Sequence, residues 1–202
     1  MLDKDKIKEH HSKIIGSDRL FQSAVCIPLI ESEEGYEILF EVRSSKLDHQ
    51  PGDICFPGGA IEKGETFKEA AVRELCEELC IDPSKWEDLG ENDLLHSDSL
   101  MIYPFIGILH DYSNTYNKDE VAEIFSVPLS YLVNYKVEEY HIEYKVELPD
   151  DFPYERIHGG RNYHWRKRKD IQYFYQYKQY CIWGLTAKIL HNFIENFIRG
   201  ED

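Results

Sequence analysis

Positive charge is scarce in this chain of 202 residues: 23 Lys and Arg stand against 38 Asp and Glu, a formal net charge of −15. A nonspecific nucleic-acid binder needs a basic footprint to displace counterions, so that class is excluded. Docking on an anionic membrane is disfavoured for the same reason. Long apolar runs are also missing, and none approaches the roughly 18 residues that a membrane span requires. The opening stretch MLDKDKIKEHHSKIIG is charged and has no apolar core, so no signal peptide is expected. Cysteines are few and odd in number, at positions 26, 55, 76, 80 and 181. No second pair or paired His follows Cys76 and Cys80 at zinc spacing. Reduced thiols in the cytoplasm, packed as small buried hydrophobes, fit better than a disulfide framework. Repeats, low-complexity tracts and Pro/Gly-rich linkers are lacking as well, so one domain over residues 1–202 is expected.

What the chain does have is apolar residues in pattern, 42% hydrophobic and 13% aromatic, enough for a packed core. Residues 3–15 read as a short amphipathic helix with Ile7, Ile14 and Ile15. Ser23–Ile30 and Tyr36–Arg43 read as strands around the polar turn 31–35, and 102–109 and 123–127 as further strands. Residues 137–148 alternate in part, and 171–177 alternate well, with Tyr173, Tyr175 and Tyr177 on one face, a stripe better suited to a core or interface than to stacking on a ligand. An apolar-rich helix over 181–198 closes the chain, with Trp183 as an expected core anchor. Strands mixed with two or three helices imply an α/β or α+β sandwich.

The informative segment is GGAIEKGETFKEAAVRELCEELCID, residues 58–82. As a helix from about Thr66 to Cys80 it lines up Phe67, Ala71, Leu75 and Leu79 in an apolar stripe. Glu74, Glu77 and Glu78 lie along one edge of that stripe. Glu77 has Arg73 at i−4, whereas Glu74 and Glu78 have no basic residue at i±3 or i±4. Repulsion between such carboxylates grows beside an apolar surface, where the dielectric is lower. A hard divalent cation, Mg²⁺ or Mn²⁺, is the natural way to neutralise them. Pro57-Gly58-Gly59 precede the helix, and glycines there let backbone N–H groups approach a ligand. Phosphate, metal and carboxylates together are the means of phosphoryl transfer.

Gly59, Glu65, Arg73, Glu74, Leu75, Glu77, Glu78 and Ile81 resemble the Nudix box, G-x5-E-x7-R-E-U-x-E-E-x-G-U with U aliphatic, at every spacing. Cys80 alone departs, standing where the pattern has its second Gly, a helix-end position that favours a left-handed residue. The resemblance implies a Nudix hydrolase, an α/β/α sandwich around a central mixed sheet. It implies Glu74, Glu77 and Glu78 as ligands of Mg²⁺ or Mn²⁺, with a backbone carbonyl of Gly58 or Gly59. Arg73 would orient a catalytic glutamate, and Gly59 and Glu65 would hold the loop and helix entry. The cations would neutralise the diphosphate and activate the attacking water.

Upstream, Leu39-Phe40-Glu41-Val42-Arg43-Ser44, Gly52 and Phe56-Pro57-Gly58-Gly59 resemble the coenzyme A pyrophosphatase branch, L-L-T-x-R-S-x3-R-x3-G-x3-F-P-G-G. The chain departs at Phe40, at Glu41 and at Asp48, which replaces the second Arg. Ile182–Ala187 and Gly159–Tyr163 also resemble this branch. The implied substrate is coenzyme A or an acyl-CoA, split into 3′,5′-ADP and 4′-phosphopantetheine or its acyl form. Substrate contacts would fall to Arg43, Ser44, Gly52, Phe56, Gly58 and Arg161, with His49 beside them. The basic run Arg166–Lys169 is a candidate for the 3′-phosphate, and Glu120 is a candidate base or metal ligand from a downstream loop. Alternatives are ADP-ribose, an oxidised nucleoside triphosphate, or a non-catalytic nucleotide sensor, although sensing alone would not require all three box glutamates. The expected partner is a small diphosphate, with no nucleic acid or membrane, and the chain is compatible with a homodimer.

Overall fold

The computed structural model describes residues 11, 14–97 and 99–200, which divide between two compact units, Met1–Pro128 and Leu129–Asp202. The helix expected over 3–15 falls largely outside the described residues. Ile14 and Ile15, at its end, are exposed and not helical.

The first unit is built on an eight-stranded mixed sheet. Its strands are β1 (Phe21–Ser32), β2 (Gly35–Arg43), β3 (Ile54–Cys55), β4 (Gly58–Ala60), β5 (Trp86–Glu91), β6 (Leu95–His96), β7 (Leu100–Leu109) and β8 (Val121–Pro128). β1 and β7 pair in parallel, from Phe21 opposite Leu100 to Leu29 opposite Ile108. All other pairings are antiparallel: β1 with β2 and β4, β2 with β3 and β8, β7 with β5 and β6. The apolar runs AVCIPLI and MIYPFIGIL match the central position of β1 and β7, because a strand covered on both faces loses its alternation. The α/β class expected from the sequence is the one found.

Helix α1 (Phe67–Leu79) starts at a capping box. Glu69 N–H donates to Thr66 Oγ1 at 3.2 Å, and Thr66 N–H donates back to Glu69 Oε2 at 2.8 Å. It ends at Cys80, whose φ of 53° is left-handed, and Ile81 N–H donates to the Cys76 carbonyl at 3.1 Å. That is the closing geometry at which the box pattern has Gly. Ala70, Ala71, Leu75 and Leu79 pack against Ala24 and Cys26 of β1, Leu39 of β2, and Phe105 and Leu109 of β7. Each fully buried leucine contributes about 1.5–3 kcal/mol over leaving it exposed, so this face fixes the helix on the sheet. Phe67, the first residue of the expected stripe, instead lies at the surface, its ring stacked on Tyr103 at 3.6 Å.

The second unit holds α2 (Leu129–Asn134), an antiparallel sheet of β9 (Glu138–Tyr144), β10 (Arg168–Tyr177) and β11 (Tyr180–Ile182), and α3 (Gly184–Ile194). The closing helix therefore begins three residues later than expected. Cys181 and Ile182 pair with Gln176 and Tyr175 instead, because a tight turn folds them back on β10. The tyrosine stripe faces inward as expected: Tyr175 is 2% exposed, and Tyr173 stacks on His191 of α3 at 3.9 Å. Trp183 corrects its expectation. It is about half exposed and stacks on Phe174, since it precedes the helix and lies on the face of β10 opposite Tyr173 and Tyr175. Of the five free cysteines only Cys26 is fully buried; Cys80 and Cys181 are exposed. Among the described residues no helix is long and apolar enough to cross a membrane.

Candidate active site

A turn of 100° per residue places Glu74, Glu77 and Glu78 of α1 at graded depth. Glu77 is exposed, Glu74 lies partly covered, and Glu78, next to the Leu75/Leu79 line, is only 5% exposed. Glu78 Oε2 accepts a hydrogen bond from Gly58 N–H at 2.8 Å. β4 can lie this close only because it is glycine. A Cβ on Gly58 would fall 2.3 Å from the Ala24 carbonyl oxygen, and one on Gly59 would fall 2.5–2.7 Å from the Glu74 carboxylate. The Pro57-Gly58-Gly59 segment thus threads between β1 and the acids of α1.

Arg73 corrects one expectation. Glu74 does have a basic partner on its own helix, one residue away rather than three or four. Arg73 Nη1 donates to Glu74 Oε1 at 2.8 Å and to Glu77 Oε2 at 3.2 Å. Its Nε donates to Glu65 Oε1 at 2.7 Å, and its Nη2 donates to Glu65 Oε2 at 3.2 Å and to the Ala60 carbonyl at 3.1 Å. The i±3 and i±4 rule describes side chains that lie along a helix surface. A forked guanidinium with five donors can also serve a neighbour at i+1. One positive charge therefore faces three carboxylates and ties them to the end of β4.

Balance is poorer at depth: Arg73 reaches Glu74 and the charge of Arg43 acts on Glu41, while the charges acting most on Glu78 are those of other acids. Burial, and then the charge of Glu41, holds the Glu78 carboxyl well above the usual carboxylate range. Burial likewise raises Glu41, and it raises Glu74 despite Arg73. Glu120 adds to all three, although its own loop lies far away in sequence. The loop reaches them because it caps α1. Asn117 N–H donates to the Glu78 carbonyl at 2.8 Å, and Thr115 Oγ1 donates to the Leu79 carbonyl at 2.7 Å. Ser44 N–H then donates to the Glu120 carbonyl at 2.8 Å. In the sequence Glu41 stands only as a departure from the coenzyme A branch pattern, not as a site residue. The signal was an acid on the same strand face as Leu39, in the apolar run ILFEV.

The expected substrate residues separate into two groups. Arg43 ends β2 and anchors the following loop: its N–H donates to the Asp53 carbonyl at 2.9 Å, and its carbonyl accepts from Gly52 N–H at 3.0 Å. Its Nε donates to the His49 carbonyl at 3.4 Å, and Gly52 is exposed at a φ of 82°. Phe56 and Ser44, by contrast, are interior. Phe56 is 3% exposed and stacks on Phe40 at 5.0 Å, which packs the loop onto β2. Ser44 is 4% exposed, and its Oγ accepts Lys46 N–H at 3.3 Å. Arg161 belongs to the second unit, with its guanidinium 4.5 Å from the Tyr154 ring centre. In the run 166–169, Lys167 pairs with Glu143 at 2.8 Å and Arg168 lies over Tyr144.

As they stand, no three or more His, Cys, Asp or Glu side chains among the described residues are grouped so as to hold a metal ion. Glu74 and Glu77 are both engaged by Arg73. The donors nevertheless suit a hard divalent cation: all are carboxylate or carbonyl oxygens. One of them, Glu41 Oε2, is buried with no hydrogen-bond partner among the described residues.

A family model described as the NUDIX domain matches residues 20–148. The chain is 29% identical over 175 residues to the mouse "Peroxisomal coenzyme A diphosphatase NUDT7", an alignment covering 82% of this chain and 66% of that one. It is 32% identical over 178 residues to the "Uncharacterized Nudix hydrolase NudL" of Photorhabdus laumondii, covering 87% of this chain and 84% of that one. It is 25% identical over 193 residues to "Nudix hydrolase 3" of Caenorhabditis elegans, covering 91% and 76%.

Proposed function

Since the chain belongs to the NUDIX family, we propose that this Nudix pyrophosphohydrolase cleaves the diphosphate of coenzyme A or an acyl-CoA, releasing 3′,5′-ADP and (acyl-)4′-phosphopantetheine. The observation that carries the reading is the gathering of Glu74, Glu77, Glu78 and Glu120 beside a glycine strand and the loop that Arg43 anchors. The coenzyme A assignment draws on that loop and on the name of the mouse relative.

Glu74, Glu77, Glu78 and the Gly59 carbonyl would hold Mg²⁺ or Mn²⁺. Bound there, the cation supplies neutralisation of the diphosphate and a lowered pKa for the attacking water. Arg73 keeps Glu74 and Glu77 oriented through paired hydrogen bonds. Glu120, whose charge acts on Glu74 and Glu78, is assigned the proton of the attacking water. Arg43 offers a guanidinium to a substrate phosphate. Arg161 and the run 166–169 are assigned to the 3′-phosphate, and the five free thiols support a cytoplasmic location.

One observation favours a second substrate class. Asp48 puts an exposed acid where the coenzyme A pattern has Arg, which removes a phosphate contact and suits a substrate with fewer phosphates, such as ADP-ribose. Incubation with Mg²⁺ and a panel of CoA, acyl-CoAs, ADP-ribose, NADH and dNTPs, with products resolved by chromatography, separates the readings. CoA or acyl-CoA should turn over fastest. Turnover of ADP-ribose alone would defeat the coenzyme A assignment, and no turnover of any would point to a nucleotide sensor.

A further inference from the structure

Glu41 does not belong to the Nudix box, and it replaces the Thr of the coenzyme A branch pattern. β2 alternates, so Glu41 shares the strand face of Leu39, which packs with Leu75 and Leu79 of α1. An acid at that register is 1% exposed and directed toward the helix that carries Glu78. Across the sheet it pairs with Cys55 of β3 and Ile124 of β8.

Its two oxygens are treated differently. Oε1 accepts a weak hydrogen bond from Cys55 Sγ at 3.3 Å, from a thiol that burial keeps protonated. Oε2 is buried and has no hydrogen-bond partner among the described residues. The groups that face this carboxylate are the thiol, the Glu78 carboxyl at hydrogen-bonding distance, the acid Glu120, and one cation, Arg43 at the strand end. Leaving a buried carboxylate oxygen unpaired costs about 1–3 kcal/mol. A leucine or threonine would fill the strand position without that cost. Two carboxylates brought together in a dry interior can bind each other only through a shared proton or a shared cation.

We propose that Glu41 is a further member of the divalent-cation site, its Oε2 reserved for the cation that Glu74, Glu77 and Glu78 hold, so that the site is anchored on the sheet as well as on the helix. This rests on the cation site proposed above. It explains why a buried acid stands in an apolar strand against the Glu78 carboxyl, and why that acid lies on the helix side of the sheet.

The test is Mn²⁺ binding by the intact protein at one fixed pH, with free Mn²⁺ read from its electron paramagnetic resonance signal. Wild type, Glu41→Gln and Glu78→Gln are compared, and the thermal midpoint of each is taken in EDTA. Glu41→Gln should weaken Mn²⁺ binding about tenfold or more, while its midpoint in EDTA does not fall. If Glu78→Gln weakens binding and Glu41→Gln does not, the cation site stands and the role of Glu41 is overturned. If wild type binds no Mn²⁺, the cation site fails and this inference fails with it. Weaker binding accompanied by a lower midpoint in EDTA would mark Glu41 as structural and also overturn the proposal.

Discussion

Cys80 shows how one residue can depart from a pattern and leave the chemistry in place. It occupies the left-handed position that ends α1, at φ 53°, with its side chain exposed. A left-handed conformation costs an L-residue roughly 1–2 kcal/mol, and glycine escapes that cost while giving back some unfolded-state entropy. Cys80→Gly should therefore stabilise the first unit by about 0.5–1 kcal/mol, read as a higher urea midpoint, with kcat unchanged. A midpoint that fell would show that the thiol has a packing role. Arg73 carries the opposite lesson. Its contact with Glu74 was not legible because helical spacing predicts neighbours along the surface, and the guanidinium reaches an adjacent residue. Glu41 reads in the sequence only as a departure from a pattern, because strand alternation admits a single polar residue, and only the helix packed above it reveals its depth.

At the scale of elements, what the sequence disclosed depended on length and periodicity. α1 was legible from Thr66 to Cys80 because a capping box, a 3.6-residue stripe and a left-handed end all agree on its bounds. The two-residue strands β3 and β6 and the glycine strand β4 carry no periodicity of their own. They exist because partners on β1, β2 and β7 supply hydrogen bonds. β5 is polar and mostly exposed, so its pattern reads as loop. β11 was absorbed into the helix that follows, because Cys181 and Ile182 are apolar whichever element they join.

In the second unit α3 and β10 meet at His191, which is hydrogen-bonded to the Tyr175 hydroxyl at 2.8 Å and stacked on Tyr173. Burial depresses its pKa below the ordinary 6.5, outweighing the pull of Glu195 and Glu139, while Arg199 lowers it further. The unfolded chain then takes up this proton more readily than the folded one, so stability falls as pH drops. The contribution of His191 is fully present above pH 6.5 and is lost as pH falls through the depressed value. Thermal midpoints from pH 7.5 downward should decline more steeply in wild type than in His191→Gln. Parallel curves would contradict the burial of a neutral imidazole.

For the molecule as a whole, a charge of −15 and a phosphate substrate look contradictory. The contradiction is resolved locally: acids on α1, β2 and the loop ending at Glu120 gather where Arg73 alone cannot neutralise them, which favours a divalent cation and through it a small diphosphate. The candidate site was legible on the helix, where spacing fixes the acids, and in the loop acid Glu120, which the resemblance singled out; it was hidden on the sheet, where only folding brings Glu41 to the helix.

The most direct test compares wild type with Glu78→Gln, measuring Mg²⁺-dependent kcat on the diphosphate that the panel identifies and the thermal midpoint in EDTA. Loss of at least about a hundredfold in kcat is predicted, with a midpoint equal to or above wild type, because a neutral isostere replaces a buried acid. Activity near the wild-type level in a folded Glu78→Gln protein would contradict the account.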